Sequence, residues 1–320
     1  MECLRIALQY NVTDIHFNLA NQDHLEVEMR VNGVIRKLRK QYEISFFRYL
    51  LYKANLDVSD TYMPQTGRFE VSIDGYTLSL RLALVSSLYM TSCVLRILNN
   101  HPALTLNMLS RDPEQIRWFS NIQNHRNGLI VFSGPTGSGK TTTLYTILNE
   151  IRGKKIFTLE DPVEIYFERY VQLQVNDKMN LSYADGIKQL MRHDPDIVMV
   201  GEIRDSEAAE MAVRCALTGH LVVTTIHSSS SAQAIHRLHE LGVSLLQLQD
   251  VLTGIVNQRL YNIAEDNRLC IYEIMDKKEI DYYFRHNRNS ESFISLSKQI
   301  RDAVDQGILP ADLASQDLSG

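Results

Sequence analysis

One eight-residue segment limits the fold of this chain more than any other. Residues 134–141 read G-P-T-G-S-G-K-T, which matches the phosphate-binding pattern G-x-x-x-x-G-K-[ST]. The residues before it, 129–132, form a short apolar run typical of a buried parallel strand. The residues after it, 141–152, carry apolar side chains at helical spacing. A strand, a glycine-rich loop and a helix in this order predict a P-loop, and therefore a nucleoside triphosphate site.

The chemistry expected of this segment follows from its residue types. Glycines let successive backbone N–H groups turn towards phosphates, and the N-terminus of the following helix adds a partial positive charge. Lys140 is expected to reach the β- and γ-phosphates, and the Thr141 hydroxyl to hold Mg²⁺. The predicted nucleotide-binding residues are Gly134, Pro135, Thr136, Gly137, Ser138, Gly139, Lys140, Thr141 and Thr142.

Composition places the chain among ordinary globular proteins. Its 320 residues favour two domains, and the 44% hydrophobic and 22% charged content argues against disorder. No apolar run approaches the ~18 residues that span a membrane, and residues 1–10 lack a signal-peptide pattern, so we expect a cytosolic protein. A net charge of −5 argues against nucleic-acid binding as the main function of the protein. Four widely separated cysteines predict reduced thiols and no zinc site.

The first 98 residues predict a small α+β domain. Strands are expected at 14–18 and 93–98 and a helix at 44–55, and Asn32-Gly33 and Asp74-Gly75 suit the turns of two β-hairpins. Residues 99–110 are expected to be a linker, which leaves 111–320 as the second domain. Ser110 is expected to cap the next helix, with Pro113 in its first turn.

In the second domain, predicted strands and helices alternate. Such alternation indicates an α/β domain with a mainly parallel sheet, whose ligands bind beyond the carboxyl ends of the strands. The predicted strands are 129–132, 155–159, 171–175, 196–201 and 221–226, and the predicted helices are 141–152, 183–193, 206–218, 231–241 and 245–258.

Acidic residues follow two of these strands. Glu160, Asp161 and Glu164 come after the second strand, where carboxylates can hold Mg²⁺ through water and orient an attacking water. Acidic loops after strands are more often simply solvated. Glu202 stands at the tip of the fourth strand and Arg204 supplies a cation beside it.

Two histidines flank the fifth strand. His220 and His227 are seven residues apart, so a regular strand points them to opposite faces and a shared metal site is improbable. A single histidine is more often a structural hydrogen-bonding residue. His227, however, stands at the carboxyl end of the strand, where a sensor of the γ-phosphate is expected.

Four segments together resemble the secretion ATPases of type II secretion and type IV pilus systems. These hexameric motors combine a RecA-like domain with a small PAS-like domain before it. The four segments resemble, in order, the Walker A motif, Asp box, Walker B motif and His box of that family: 134–141, 158–164, 194–205 and 218–227. The resemblance extends from about residue 14 to residue 273.

The resemblance implies a role for each matching residue. Glu164 resembles the acid that activates the hydrolytic water, and Glu202 resembles the Walker B acid; a glycine before it, here Gly201, is usual in the family. Mg²⁺ is expected on Thr141, Glu202 and, partly through water, Glu160. His220 and His227 resemble the His-box pair and are assigned to nucleotide binding and catalysis, respectively. The remaining catalytic residues that the resemblance implies are Arg204, Arg68 and Arg81.

The N-terminal arginines have support from spacing alone. If Asp74-Gly75 is a two-residue turn, Arg68 lies directly opposite Arg81. Like charges in that position destabilise a hairpin, which is understandable if an anion lies beside them. The alternative is that both guanidinium groups extend into water at little cost. The Asn32-Gly33 hairpin instead pairs opposite charges: Glu28 with Lys37 and Glu26 with Arg39.

Two departures narrow the choice within the family. The chain begins close to the D-I-H segment at 14–16, without the large extra domain of many assembly ATPases, and residues 261–269 carry no four-cysteine zinc element. This compact form is similar to the competence ATPases of Gram-positive bacteria, which power a pseudopilus for DNA uptake. Residues 298–303 do not match the C-terminal segment of pilus retraction ATPases, and 237–243 look more like assembly members.

Other functions remain open at this point. They are a pilus retraction ATPase, a RecA-like DNA translocase or conjugation ATPase, and a nucleotide-dependent scaffold without hydrolysis. The resemblance implies a homo-hexamer that acts with Mg-ATP on a polytopic membrane platform and, indirectly, on pilin-like subunits. It implies a cytoplasmic protein held at the inner face of the membrane by a partner, with no direct binding of nucleic acid.

Overall fold

The computed structural model of this chain consists of two compact units. It describes residues 2–318, apart from 11, 21–23, 32–33, 39, 41, 61, 75, 99–103, 177–180 and 265–266. The first unit comprises Met1–Pro102 with Glu164–Tyr166, and the second comprises Ala103–Val163 with Phe167–Gly320. The first half of the predicted linker, 99–103, lies outside the described residues.

The first unit is one antiparallel sheet covered by helices on one face. Its strands are β1 Asp14–Ala20, β2 His24–Val31, β3 Val34–Lys37, β4 Gln65–Ile73, β5 Tyr76–Ser86 and β6 Met90–Ile97, and its helices are α1 Glu2–Gln9 and α2 Ile44–Lys53. The strands lie in the order β3-β2-β1-β6-β5-β4. Alternate residues along the strands, such as Leu80, Leu82 and Leu84, are buried against the helices because a strand turns every second side chain to the same face.

Both predicted hairpin registers are confirmed where the structure describes them. Arg68 pairs with Arg81, and Glu28 pairs with Lys37. Three of the residues named in those predictions, Asn32, Gly33 and Gly75, lie outside the described residues, as does Arg39. Lys37 instead forms an ion pair with Glu26.

The second unit is a seven-stranded sheet with helices on both faces. Its strands are β7 Gly128–Ser133, β8 Ile156–Glu160, β9 Val171–Gln174, β10 Ile197–Val200, β11 Leu221–Ile226, β12 Leu252–Ala264 and β13 Asn267–Asp276. The order is β13-β12-β7-β11-β10-β8-β9, and every neighbouring pair is parallel except β12 with β13. The predicted class, an α/β fold with a mainly parallel sheet preceded by an α+β unit, is confirmed.

The helices of the second unit lie before, between and after these strands along the chain. They are α3 Leu106–Leu109, α4 Pro113–Asn121, α5 Lys140–Glu150, α6 Tyr183–Leu190, α7 Ser206–Leu217, α8 Ser231–Glu240, α9 Leu245–Val251, α10 Lys277–His286, α11 Leu296–Asp305 and α12 Ala311–Leu318. In the described part of the chain, none of the helices has the length and apolar character that crossing a membrane requires.

The predicted helix at 245–258 is wrong in its second half. Helix α9 ends at Val251, and residues 252–258 belong to β12, which lies between β7 and β13. The β-branched Thr253, Ile255 and Val256 favour a strand. A Cβ at Gly254 would lie 2.5 Å from the Trp118 ring, so the glycine lets that ring pack directly on the strand.

The cap of α4 also differs from the prediction. Pro113 is the first helical residue, as expected, but the capping side chain is Asp112, which accepts a hydrogen bond from the Glu114 backbone N–H at 2.8 Å. Ser110 lies two residues earlier, where its hydroxyl donates to Gln115 at 2.7 Å. An aspartate directly before a helical proline is the better placed acceptor for the free N–H groups of the first turn.

Candidate nucleotide site

The P-loop joins a fully buried strand of the sheet, β7, to α5. All six residues of β7 are buried. Gly134 then adopts a φ of +142°, and a Cβ there would lie 2.5 Å from the backbone oxygen of Gln258. Gly139, with a φ of +85°, precedes the first residue of α5. The loop therefore requires glycine at both positions, and it ends at a helix N-terminus where phosphate binding is favoured.

Lys140 is the buried cation of this loop. Its side chain is largely enclosed, and Nζ donates hydrogen bonds of 2.9 Å to the backbone oxygens of Gly134 and Pro135. The pKa of Lys140 is lowered to about 8, mainly by burial; the charge of Glu202 opposes this shift, and the charge of Arg259 adds to it. Phosphate oxygens in place of the two carbonyls would return the ammonium to a favourable environment.

We therefore expect nucleotide affinity to fall as pH rises above about 8. The phosphates of ADP are already ionised there, since their last pKa is about 6. Above pH 8 the free protein loses the Lys140 proton and must take it up again to bind, which costs up to about tenfold in affinity per pH unit. Calorimetry in buffers of different ionisation heat should show proton uptake at pH 9 and none from this group at pH 7. An affinity that is flat between pH 7.5 and 9.5 would contradict this assignment.

Glu202 lies at the end of β10, between two neighbouring strands. Hydrogen bonds hold the strand end: Gly201 N–H donates to the Leu159 oxygen at 2.8 Å, and the Thr225 hydroxyl donates to the Gly201 oxygen at 2.7 Å. A Cβ at position 201 would lie 3.3 Å from that Leu159 oxygen. Close packing against β8 thus explains the glycine at a position where many P-loop proteins carry an aspartate, and it leaves Glu202 as the acid of this strand end.

Charged side chains of alternating sign form a chain around Glu202. One carboxylate oxygen of Glu202 accepts a hydrogen bond from Arg204, and the other lies 3.7 Å from Nε2 of His227. Arg204 also lies 3.4 Å from the carboxylate of Asp161. Glu202 is about four-fifths buried, so these partners orient it rather than leave it to solvent. The arrangement gives one anion, shared between a cation and an imidazole, close to Lys140.

The surroundings of His227 favour the neutral form of its imidazole ring. Burial lowers its pKa, Lys140 and Arg204 lower it further, and Glu202 opposes them. Because the usual histidine pKa is about 6.5, a lowered value leaves the ring uncharged at pH 7. A neutral imidazole at the carboxyl end of β11 can donate a hydrogen bond from its ring N–H to a phosphate oxygen without carrying a positive charge.

The structure brings together four of the predicted site residues in the second unit, namely Lys140, Glu202, Arg204 and His227. Their strands β7, β11 and β10 are adjacent and parallel, so their carboxyl ends meet at one edge of the sheet. Thr141 follows Lys140 at the start of α5. Glu164 belongs to the stretch that is grouped with the first unit, and its role stays a prediction.

His220 is corrected by its position. It precedes β11, whereas His227 follows it, and six residues of strand separate the two by about 20 Å. The ring nitrogen Nδ1 of His220 is 3.2 Å from the Cys215 backbone oxygen and 3.3 Å from the Thr218 hydroxyl. Within one chain, His220 therefore holds the turn after α7 and does not reach the P-loop.

The hydrogen-bond partners of Glu160 favour a structural role over a role as a metal ligand. It is buried, one carboxylate oxygen accepts a hydrogen bond from Tyr145, and the other accepts from Thr158 at 2.5 Å. The Gln172 amide lies 3.4 Å from the same oxygen as Thr158. The Tyr145 hydroxyl joins α5 to β8, whereas Thr158 belongs to β8 itself. The predicted water-mediated contact of Glu160 with Mg²⁺ stays a prediction.

Sequence reasoning missed Arg96, which lies beside the predicted arginine pair of the first unit, and Asn257 and Gln258, which lie beside the P-loop of the second unit. Arg96 lies opposite Arg81 on β6, which extends the predicted arginine pair to three adjacent strands. Its register depends on the Ser87–Met90 turn, which has no Asn-Gly or Asp-Gly signal. Asn257 and Gln258, on β12, contact the loops of the site, and the incorrect helix prediction concealed them.

Comparisons with known proteins agree with this geometry. The family model described as "Type II/IV secretion system protein" matches residues 1–292. Competence protein ComGA of Bacillus subtilis is 34% identical over 93% of this chain and 90% of its own length. A putative type II secretion system protein E of Escherichia coli is 37% identical over 82% of this chain but 54% of its own length. The chain thus spans about half the length of the type II secretion relatives it matches.

A solved structure extends the agreement to the whole fold. The structure described as the pilus retraction motor PilT with bound ADP has a TM-score of 0.80 and 25% identity, covering 98% of this chain and 95% of PilT. The Legionella pneumophila ATPase DotB, at 21% identity, shares the fold with a TM-score of 0.78. Since the family model covers residues 1–292 and ComGA is 34% identical over 93% of the chain, this chain belongs to the type II/IV secretion system protein family.

Proposed function

We propose that this protein is a Mg-ATP-hydrolysing motor that powers assembly of a competence pseudopilus or a type II secretion-like apparatus in support of DNA uptake. The observation that carries the proposal is the cluster of Lys140, Glu202, Arg204 and His227 at the carboxyl ends of β7, β10 and β11. It combines a phosphate-binding loop and its lysine with an acid that can hold Mg²⁺, which are parts that phosphoryl-transfer sites use, and adds a neutral imidazole beside them.

The residues of the cluster divide the chemistry among them. The backbone N–H groups of the loop and Lys140 would hold the phosphates, while Thr141 and Glu202 would hold Mg²⁺, which neutralises charge on the phosphates. His227 would contact the γ-phosphate as a neutral hydrogen-bonding group. Glu164 is proposed as the base that orients the attacking water, and Arg204 fixes the carboxylate of Glu202.

The competence role rests on ComGA, which matches this chain almost from end to end and is named a competence protein.

The second candidate function is that of a pilus retraction motor, because the match to the PilT structure covers nearly the whole of both chains. Deletion of the gene, scored together for transformation, secretion and surface motility, separates the two. We expect transformation to be lost and to return with the wild-type gene but not with Lys140→Ala. Loss of pilus retraction with intact transformation would favour the second candidate.

We further propose that the protein works as a hexameric ring in the cytoplasm, held at the membrane by a polytopic platform protein that acts on pilin-like subunits. ATP should tighten the ring because a ligand stabilises the state that it bridges. Sedimentation with and without ATP should therefore show assembly that increases with nucleotide and protein concentration. A strictly monomeric protein, with the same ATPase rate per subunit on dilution, would contradict the ring.

The arginines of the first unit are proposed to act on the same nucleotide. Arg68, Arg81 and Arg96 lie side by side in one row across β4, β5 and β6, and Asp14 follows Arg96 on β1. Asp14 accepts a hydrogen bond of 2.7 Å from Arg96, so an acid accompanies one end of the row. An anion such as a γ-phosphate would offset the repulsion between neighbouring guanidinium groups.

We therefore expect Arg68→Ala and Arg81→Ala each to lower the ATPase rate of the full chain by about tenfold or more, as arginines that contact transferring phosphates do. Their melting temperatures should be unchanged or slightly higher, because each substitution removes like-charge repulsion. Arg48→Ala, an exposed arginine on α2, is the matched control. Unaltered turnover in both variants would leave the pair as a feature of the sheet surface.

A further inference from the structure

Arg259 is a mostly buried cation beside the P-loop that the mechanism above does not use. It lies on β12, and its side chain is 16% exposed. Its positive charge acts to lower the pKa of Lys140. The guanidinium donates from Nη1 to the Asn257 side-chain oxygen at 3.2 Å and to the Gln258 backbone oxygen at 3.1 Å. Its Nε donates to the carboxylate of Asp317 at 2.9 Å.

The two β12 neighbours of Arg259 lead directly to the nucleotide site. Asn257 is fully buried, and its amide donates to the Ser133 hydroxyl at 2.7 Å and to the Ser228 backbone oxygen at 3.2 Å. Ser133 ends β7, and Ser228 follows His227. The Asn257 amide therefore ties the start of the P-loop to the loop that carries His227.

Gln258 makes the second connection. It is fully buried, and its amide donates to the Ser138 backbone oxygen, within the P-loop, at 2.5 Å. Its own backbone oxygen is the atom that would clash with a Cβ at Gly134. The same oxygen accepts from Arg259. A shift of the Arg259 guanidinium is thus transmitted to the P-loop through both Asn257 and Gln258.

Asp317 holds Arg259 from the last helix. One of its carboxylate oxygens accepts from Arg259, and the other accepts from the Tyr261 hydroxyl at 2.7 Å. Burial raises the pKa of Tyr261, and Asp317 raises it further, so this hydroxyl stays a donor at neutral pH. Helix α12 is fixed in place because its Ala314 packs in a small apolar cluster that also contains Tyr261, Ile271, Leu296, Ile300 and Leu309.

We propose that Asp317 is a positioning residue for the nucleotide site, although it lies on α12 and touches none of the P-loop. By holding and neutralising Arg259, it fixes Asn257 and Gln258, which in turn fix the P-loop and the His227 loop. The inference rests on the proposed function, since it assumes that this site binds nucleotide. It assigns to the C-terminal helix a task in nucleotide binding, besides its packing on the sheet.

The substitution that tests this is Asp317→Asn, which keeps the shape but removes the charge that Arg259 requires. A buried cation without its acid is unfavourable and should move its neighbours. We expect the Kd for a fluorescent ADP to rise about tenfold, since small displacements of positioning groups have effects of this order or larger.

Four further variants of the full chain complete the experiment. Asp312→Asn changes an exposed acid on the same helix and should bind ADP as the wild type does. Asp317→Glu, which keeps the charge, should bind more tightly than Asp317→Asn. Adding Arg259→Gln to Asp317→Asn removes the unpaired cation, so the two effects should not add. If Asp317→Asn does not fold, Tyr261→Phe, which removes one donor to Asp317, should give a smaller shift in the same direction.

The outcomes separate the inference from the proposed function. A wild type that binds no ADP would contradict the proposed function itself. A wild type that binds ADP, with Asp317→Asn and Tyr261→Phe at lower melting temperature but unchanged Kd, would overturn the inference. That second result is expected if α12 has only a structural role, because loss of its contacts then lowers the melting temperature without selectively weakening nucleotide binding.

Discussion

Replacing Lys140 with alanine is expected to nearly abolish ATP hydrolysis while the protein stays folded. The ammonium contributes an electrostatic stabilisation of the transferring phosphate that is worth several kcal/mol, and a loss of about 4 kcal/mol corresponds to roughly a thousandfold in rate. In the structure Nζ contacts backbone oxygens of its own loop, and burial disfavours its charge. Its removal should therefore cost little stability.

Phosphate release and thermal unfolding, measured on the same preparation, check this expectation. Lys188→Ala, which removes an exposed lysine on α6, controls for the loss of a positive charge and should turn over normally. Near-normal turnover in a folded Lys140→Ala protein would refute the assignment of the P-loop.

The second large effect is expected at the two acids. Glu164→Gln and Glu202→Gln keep the shape of the side chain but remove its charge, and each should leave ATP binding about as tight as before. Hydrolysis should slow by about 10²-fold or more in Glu164→Gln, the usual size of a general-base contribution. Glu202→Gln should slow it as well, because the amide holds Mg²⁺ less well than the carboxylate does. Glu202→Gln should also loosen Arg204 and His227, because both contact its carboxylate.

Single-turnover measurements distinguish the roles of the two acids. Glu207→Gln, an exposed acid in the first turn of α7, is the control and should behave as the wild type. A crippled Glu202→Gln together with a normal Glu164→Gln would mean that Glu202, and not Glu164, orients the water. Normal hydrolysis in both variants would remove the two acids from the mechanism.

Local signals in the sequence predicted the parts of the molecule that depend on local geometry. The P-loop follows from its glycines and lysine, and the structure shows why Gly134 and Gly139 need positive φ angles. The Arg68–Arg81 register follows from a two-residue turn, which fixes every pair along the hairpin. Such features are encoded within a few residues of one another.

Parts that depend on distant contacts were not predictable in the same way. Residues 252–258 look helical when read after α9, but Gly254 packs on Trp118 and the strand pairs with β7, more than 100 residues earlier. The link from Asp317 to Arg259 joins a helix near the C-terminus to the strand beside the P-loop. No periodicity in the sequence reports these contacts, because they arise only when the sheet has formed.

The most direct test of the account is phosphate release by the purified wild-type protein, measured with Mg²⁺ and with EDTA over a range of protein concentrations. We expect Mg-dependent release of phosphate from ATP, with a rate per subunit that rises as the protein assembles. Tight binding of ATP without release of phosphate at any concentration would contradict it, and would identify the protein as a nucleotide-dependent scaffold.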